Sequence, residues 1–257
     1  MTGTLFVFIH GICGSGAQLA PLASHIARTC DDIRVLTLPG HGGGTGAFVR
    51  TTAAQWERAV EQEVRESLVR ASRVVLVGHS LGALLALSAA ARIPVAGVVC
   101  LGTPMGLKAS PFQLRMSLRV ALGNPGRDDP VVRTYRSARG VSVRGPWEYL
   151  LWPIAFSRLP GVMRRVRRRL GEVHCPVLLI QSGRDETVSR HSAEQIAARI
   201  GENARVLLLP SARHAWIPPE EQTEMVREIR AFVEGLPGGK DARAGACQAS
   251  GSMQFSE

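Results

Sequence analysis

The chain has 257 residues, 45% of them hydrophobic, which is enough for one large domain with a packed core. Its formal net charge is +10, and arginine carries almost all of the excess, because Lys108 and Lys240 are the only lysines. No apolar run approaches the roughly 18 residues that cross a bilayer, and the N-terminus lacks a signal-peptide pattern, so we expect a cytoplasmic protein.

Short apolar runs alternate with longer helical patterns along most of the chain. Strands are predicted at residues 5–9, 33–38, 74–77, 95–101, 176–181 and 204–209. Helices are predicted from the loop after the first strand to about residue 28, and at residues 51–70, 81–91, 189–200 and 219–235. Repeated strand–helix units predict an α/β fold, with a mostly parallel sheet of about six strands and helices on both faces.

This alternation stops between residues 105 and 170, a segment rich in arginine, in Pro-Gly or Gly-Pro steps and in aromatic residues. We interpret residues 105–170 as a helical cap laid over the carboxyl edge of the sheet. The core then consists of residues 1–104 and 171–235. The remaining residues, 236–257, are rich in Gly, Ala and Ser and are predicted to be a disordered tail.

The aromatic cluster of the cap is too apolar to lie free in solvent. We expect Trp147, Leu150 and Trp152 to line an apolar substrate pocket, together with Trp216 from the loop after the last strand. Packing of the cap on the core is the plainer alternative for the same cluster.

The densest positive charge lies at residues 164–169, where five of six residues are arginine. No aromatic platform of the kind that nucleic-acid binders use is interleaved with it, so we expect no nucleic-acid partner. A solvated helix face is the favoured interpretation. Attraction to anionic substrates, acidic carrier proteins or a membrane surface is the minor alternative.

The five cysteines are scattered and form no C-x-x-C pair, so neither a disulfide framework nor a metal site is predicted. Cys100 and Cys175 lie in or beside apolar strands and are expected to be small buried side chains. Cys13 lies in a loop that we expect near the active site, where it could be reactive.

A G-x-S-x-G motif, Gly78-His79-Ser80-Leu81-Gly82, lies at the junction of the third predicted strand and its helix. A serine in a sharp strand-to-helix turn presents its hydroxyl above the sheet edge, and glycines flank it because a Cβ would clash. An ordinary glycine-rich turn is the alternative. The position of the motif on the junction favours Ser80 as a nucleophile.

The carboxyl ends of parallel strands meet at one edge of a sheet, and this decides which residues can join Ser80. His214 follows the last strand and is the predicted base, whereas His79 should point away from the Ser80 hydroxyl. Asp185 follows the fifth strand and is the predicted acid that orients the base, with Glu186 as its competitor.

The glycine-rich loop at residues 10–16 lacks the G-K-[ST] of a phosphate-binding loop, and no acidic residue closes the second strand as a dinucleotide site requires. We therefore expect no cofactor. Instead, the backbone N–H groups of Ile12, in this loop, and Leu81, after the nucleophile, are predicted to form an oxyanion hole.

The chain resembles α/β-hydrolases of the carboxylesterase and monoacylglycerol lipase type. Five segments carry the likeness: His10-Gly11-Ile12, Leu38-Pro39-Gly40-His41-Gly42, Gly78-His79-Ser80-Leu81-Gly82, Ser182-Gly183-Arg184-Asp185 and Ser211-Ala212-Arg213-His214. The resemblance implies that His10 braces its loop and that Leu81 and Ile12 form the oxyanion hole. The chain departs from the family in starting at what would be the third strand, so we expect the family's early antiparallel strands to be missing.

Together these features predict a serine hydrolase that cleaves small-molecule esters with an apolar acyl group, of short to medium length or monoacylglycerol-like. An acyl thioesterase with the same triad is one alternative, with arginines attracting coenzyme A or an acidic carrier. A non-catalytic ligand-binding protein on the same fold is the other.

Overall fold

The computed structural model describes residues 3–27, 32–108, 115, 118–120 and 129–237. Its sheet has six strands in the order β2-β1-β3-β4-β5-β6, and every neighbouring pair is parallel. The strands are β1 (Thr4–Ile9), β2 (Asp32–Leu36), β3 (Arg73–His79), β4 (Gly97–Leu101), β5 (Val177–Ser182) and β6 (Ala204–Leu209). The predicted α/β fold with about six parallel strands is confirmed.

The bounds of nine α-helices are given by the described residues. They are α1 (Ala20–Ile26), α2 (Thr45–Arg50), α3 (Ala53–Arg70), α4 (Leu81–Ala90), α5 (Pro130–Ser137), α6 (Trp152–Phe156), α7 (Leu159–Arg169), α8 (Ser192–Ile200) and α9 (Pro219–Glu234). Helix α3 begins where Thr52 and Gln55 form a reciprocal capping box, which satisfies two backbone N–H groups. None of these helices has the length and apolar character that a membrane-spanning helix needs.

The sheet is covered on both faces, and β1 shows how its sequence produces this. Leu5, Val7 and Ile9 point into an apolar cluster shared with α3, α4, α7 and α8, whereas Phe6 and Phe8 point into a second cluster with α1 and α9. Alternate residues of a strand face opposite sides, so an uninterrupted apolar run fits a strand buried on both faces. All ten residues of α4 are buried.

One part of the predicted cap packs into the core. Helix α7 lies within residues 105–170, yet it buries Leu159, Val162 and Val166 in the same cluster as α4. This part of the segment therefore packs as one of the core helices. The boundaries of a separate cap remain a prediction.

Leu236 was predicted to begin the disordered tail, but its side chain is buried against Gly97 of β4. A Cβ on Gly97 would lie 2.9 Å from a methyl carbon of Leu236. The rest of the predicted tail, except residue 237, lies outside the described residues.

Candidate active site

Ser80 lies between β3 and α4 in a strained backbone conformation, with φ 53° and ψ −114°. A Cβ on Gly78 would lie 2.5 Å from the backbone of Ala83, and one on Gly82 would lie 2.0 Å from the carbonyl oxygen of Ile9. Only glycine fits at both positions, so this tight turn requires the motif. A non-glycine residue at positive φ costs about 1–3 kcal/mol and is found most often at functional sites.

His214 and Asp185 are hydrogen-bonded, with 2.9 Å between Nδ1 of the imidazole and Oδ2 of the carboxylate. The other carboxylate oxygen of Asp185 accepts from the backbone N–H groups of Thr187, at 2.8 Å, and Val188, at 2.7 Å. Both oxygens of the carboxylate are therefore occupied, which fixes its orientation toward the imidazole.

The loops that carry these two residues are tied together by the main chain. The N–H of Gly183 donates to the carbonyl of Leu209 at 2.8 Å, and the N–H of Arg184 donates to that of Ala212 at 2.9 Å. These bonds continue the pairing of β5 and β6 beyond the strand ends. They bring the residues that follow, Asp185 and His214, to one edge of the sheet.

Gly102, at the end of β4, leaves room for the pair. Its φ is +55°, and a Cβ there would lie 3.3 Å from Nδ1 of His214 and 3.6 Å from Oδ2 of Asp185. Sequence reasoning missed this residue. Its position directly after a buried strand, in the run Gly102-Thr103-Pro104, was the signal that could have identified it.

The electrostatics of the pair follow from burial and mutual attraction. Burial works to raise the pKa of Asp185, but the facing His214 and the donated backbone N–H groups outweigh it, so this pKa lies below its ordinary value. Burial works to lower the pKa of His214, but the charge of Asp185, with a smaller contribution from Glu186, raises it above the ordinary value. A neutral imidazole can therefore gain a proton readily beside a carboxylate that stays ionised.

Ser80 and His214 line the same cavity, which has a volume of about 720 Å³. This size is typical of small-molecule sites. Asp185 is buried behind His214 and does not reach the cavity surface. The other walls are largely apolar and include Leu107, Leu118, Val120, Leu150, Trp152, Phe156 and Leu159.

Two of the four predicted pocket residues line this cavity, namely Leu150 and Trp152. Trp147 does not, because its ring folds back over Gly145 and the residue is 61% exposed. Trp216 lines a neighbouring cleft instead. A turn closed by the N–H of Arg213 donating to the carbonyl of Trp216, at 2.8 Å, directs the chain away from the Ser80 cavity.

Residues 6–229 match the alpha/beta hydrolase family. The chain belongs to this family. The sequence of this α/β hydrolase is 24% identical to the thermostable monoacylglycerol lipase of Bacillus sp. (strain H-257) over 196 residues, which cover 74% of each chain.

Two solved structures share the fold of this α/β hydrolase. A structure from a study of LipS and LipT, two metagenome-derived lipolytic enzymes, has a TM-score of 0.70 and 21% identity, and covers 91% of this chain and 94% of its own. The Paleococcus ferrophilus monoacylglycerol lipase has a TM-score of 0.66 and 18% identity, covering 90% and 97% respectively.

The predicted oxyanion-hole residues of this α/β hydrolase are Ile12, in the loop after β1, which lines the cavity, and Leu81, the first residue of α4, directly after Ser80. Within the described residues, neither backbone N–H donates to a protein acceptor. The N–H of Leu81 is the first of α4, where the aligned peptide dipoles leave partial positive charge. Leu81 is buried and does not line the cavity, so the role of these two N–H groups as an oxyanion hole stays a prediction.

Two neutral histidines brace the loop that carries Ile12. Nε2 of His10 accepts from the N–H of Leu38 at 3.1 Å, and its Nδ1 lies 2.9 Å from the carbonyl of Gly11. Nε2 of His41 accepts from the N–H of Cys13 at 3.1 Å. Burial lowers the pKa of His10 to about 4, so it stays neutral and keeps this pattern at ordinary pH. His10 thus has the bracing role that the resemblance implied.

Cys13 is half-buried and lines the Ser80 cavity. Burial raises its pKa to about 12, although the charge of Arg139 acts in the opposite direction. Burial likewise raises the pKa values of the Cys100 and Cys175 thiols to about 12. Cys100 is buried as expected, whereas Cys175 is half-buried. Within the described residues, no cluster of His, Cys, Asp and Glu has the arrangement of a metal site.

His79 contacts the main chain of the predicted base. Its Nε2–H donates to the carbonyl of His214 at 2.8 Å, and the two ring centroids lie 4.8 Å apart. Burial lowers the pKa of His79 to about 3, so it remains a neutral donor. Sequence reasoning placed His79 away from the Ser80 hydroxyl but did not foresee this contact, because nothing in the motif indicates it.

Proposed function

We propose that this α/β hydrolase is a serine enzyme that cleaves carboxylic esters through an acyl-enzyme intermediate. The observation that carries the proposal is the 2.9 Å bond between His214 and Asp185, formed beside the cavity into which the strained Ser80 turn opens. No cofactor is required for this reaction.

In the acylation step, the Ser80 hydroxyl oxygen attacks the ester carbonyl carbon while Nε2 of His214 takes its proton. The carbonyl oxygen becomes an oxyanion and accepts from the N–H groups of Leu81 and Ile12, each such donor contributing about 3 kcal/mol to transition-state stabilisation. Asp185 holds the imidazole in the required tautomer and stabilises its charged form. The intermediate collapses, the alcohol oxygen takes the proton from His214, and the alcohol leaves.

In the deacylation step, a water molecule attacks the acyl carbon of the Ser80 ester and His214 takes one of its protons. The second tetrahedral intermediate expels the Ser80 oxygen, which recovers its proton from His214. The carboxylic acid is released and the enzyme returns to its starting state.

An apolar acyl group is supported by the chemistry of the cavity. Its volume of about 720 Å³ and its aliphatic and aromatic walls favour a hydrocarbon chain over a polar one. The Bacillus relative is a monoacylglycerol lipase by name, and this agrees with a substrate of that kind.

The decisive test is Ser80→Ala, assayed on p-nitrophenyl butyrate and with a fluorophosphonate probe. We expect kcat to fall at least about 10³-fold and covalent labelling to disappear, because the nucleophile is lost. Ser157→Ala, which removes an exposed hydroxyl bonded to the carbonyl of Ile154, should leave both unchanged. Labelling and turnover that persist without the Ser80 hydroxyl would refute the proposal, and absence of both in the wild type would favour a ligand-binding protein.

A thioesterase is the second candidate, and two cations in the cavity wall favour it. Lys108 and Arg139 line the cavity; the Lys108 ammonium donates to the Asp185 carbonyl at 2.9 Å, and the Arg139 guanidinium donates to the Tyr149 hydroxyl. Such charges can attract the phosphates of an acyl-coenzyme A. Its hydrolysis should then decline steeply with added salt while that of a neutral ester does not; an equal salt response of the two substrates would remove this candidate.

A further inference from the structure

The main chain of His214 is held on both sides by side chains from other elements. Its N–H donates to Oε2 of Glu186 at 3.4 Å, and its carbonyl accepts from Nε2 of His79 at 2.8 Å. These contacts are separate from the bond between the imidazole and Asp185. They fix the backbone from which the imidazole projects.

Glu186 is itself tied to α5, a helix of the predicted cap. Its Oε1 accepts from the hydroxyl of Tyr135, and the same hydroxyl oxygen accepts from the N–H of Ala215 at 3.3 Å. The tyrosine and the carboxylate thus bridge α5 to two consecutive N–H groups of the His214 loop. Glu186 is only 6% exposed, and Tyr135 also lines the Ser80 cavity.

This arrangement explains why Glu186, the competitor of Asp185 in the sequence, does not occupy the place of the acid. Its oxygens meet a main-chain N–H and a phenol, whereas among the residues that the structure describes the His214 imidazole bonds Asp185. A buried carboxylate bonded in this way restricts the loop strongly, because loss of either partner leaves the other without a hydrogen bond in a buried site.

We propose that Glu186 and Tyr135 are positioning residues for the general base, holding the His214 loop against helix α5 so that the imidazole faces Ser80. The proposal rests on the ester-hydrolase function given above. A reacting group must be held to within about 0.5 Å and 10–20°, and a misplacement of about 1 Å can cost roughly 10²-fold in rate. Release of this loop should therefore lower kcat more than it changes KM.

The charge of Glu186 makes the proposal testable through the pKa of His214. The groups that face His214 are Asp185 and Glu186 from the loop after β5, His79 from the Ser80 turn and Tyr135 from α5. His79 is neutral, and burial beside Glu186 raises the pKa of Tyr135 well above its ordinary value, so only the two carboxylates carry charge. Both raise the pKa of His214, and removal of Glu186's charge should lower it.

The experiment compares Tyr135→Phe and Glu186→Gln with the wild type on p-nitrophenyl butyrate across pH. We expect kcat to fall about 10-fold in Tyr135→Phe and about 10- to 100-fold in Glu186→Gln, with KM within about twofold. The acid limb of kcat/KM should move to lower pH in Glu186→Gln but not in Tyr135→Phe, which keeps the carboxylate.

Two variants serve as matched controls and should keep wild-type values. Ser137→Ala removes an exposed hydroxyl from α5, and Glu194→Gln removes an exposed carboxylate from α8. Both test variants change a few atoms, and circular dichroism reports whether each remains folded. Wild-type kcat and an unmoved acid limb in the folded variants would overturn the proposal, as would changes of the same size in the controls.

An NMR measurement separates this proposal from the ester-hydrolase function. The His214 Nδ1 proton, bonded to Asp185, should give a low-field resonance in the wild type that broadens or shifts in Glu186→Gln and Tyr135→Phe. If the wild type hydrolyses no ester but this resonance responds, the proposed reaction fails while the positioning role stands. If the wild type hydrolyses esters but neither the resonance nor kcat changes in the two variants, the positioning role is wrong and the ester-hydrolase function stands.

Discussion

The two sides of the candidate site are built differently. The nucleophile side, the Ser80 turn, is packed against backbone at very close range, with glycines where any Cβ would collide. The base side is fixed by side chains from distant segments, since Tyr135 reaches Glu186 across 51 residues and Glu186 reaches His214 across 28. One side therefore depends on the glycines of a short motif packed against backbone, and the other on hydrogen bonds between side chains and groups that lie far apart in the sequence.

This difference predicts how each side fails when it is altered. On the nucleophile side, a substitution that adds volume should unfold or distort the chain, because backbone atoms cannot move aside as a side chain can. On the base side, a near-isosteric substitution should leave the fold intact and lower activity.

Asp185→Asn should have the largest effect on activity, lowering kcat about 10³- to 10⁴-fold with little change in unfolding temperature. An amide fills the same space but neither stabilises the imidazolium nor holds the same tautomer. Steady-state kinetics on p-nitrophenyl butyrate and a thermal melt would measure both quantities. Glu172→Gln, which removes an exposed carboxylate paired with Arg169, is the control, and a fall of less than tenfold in Asp185→Asn would contradict the assignment.

Gly82→Ala should cost about 3 kcal/mol of unfolding free energy and most of the activity, because the new Cβ would lie 2.0 Å from the Ile9 carbonyl oxygen. Gly171→Ala is the matched control, since no heavy atom lies within 4 Å of a Cβ built there. Urea denaturation gives both free energies. If the two variants were equally stable, close backbone packing would not be what fixes the nucleophile side.

The pH dependence of kcat/KM should report the pKa of His214. The reaction needs neutral His214, and its pKa is raised by Asp185, so kcat/KM should fall as pH decreases through a midpoint above the ordinary histidine value of about 6.5. Each pH unit below the midpoint should cost about tenfold. His79 and His10, with pKa values lowered to about 3 and about 4, contribute no step in this range. A midpoint below 6 would contradict the coupling of His214 to Asp185.

The contrast between the two sides also shows what the sequence can predict. The six strands and the Ser80 turn follow from patterns within a few residues, and the rule that the carboxyl ends of parallel strands meet at one edge led to Asp185 and His214 as candidates. Gly102, His79 and Tyr135 were missed as supports of that pair, because their partners lie far away in the sequence and each residue has an ordinary local setting. Trp147 was misplaced for a different reason: its aromatic neighbourhood predicts burial, but its ring packs on Gly145, two residues before it and outside the cavity.

Trp147 and its neighbour Leu150 provide the smallest and most selective test. Leu150 is 80% exposed but lines the cavity, so its side chain lies at the mouth. Leu150→Ala should raise KM about two- to fivefold for p-nitrophenyl decanoate and hardly at all for the acetate, because only a long acyl chain reaches the mouth. The increase should be small because apolar contacts at the mouth are only partly removed from water. Trp147 and Leu150 belong to one 3₁₀ helix, Pro146–Leu151. Trp147→Ala removes a larger apolar side chain from this helix and should leave both KM values unchanged. The reverse result, with Trp147 controlling long-chain binding, would mean that the acyl chain leaves the cavity over Gly145 and that the cap binds substrate on its outer face.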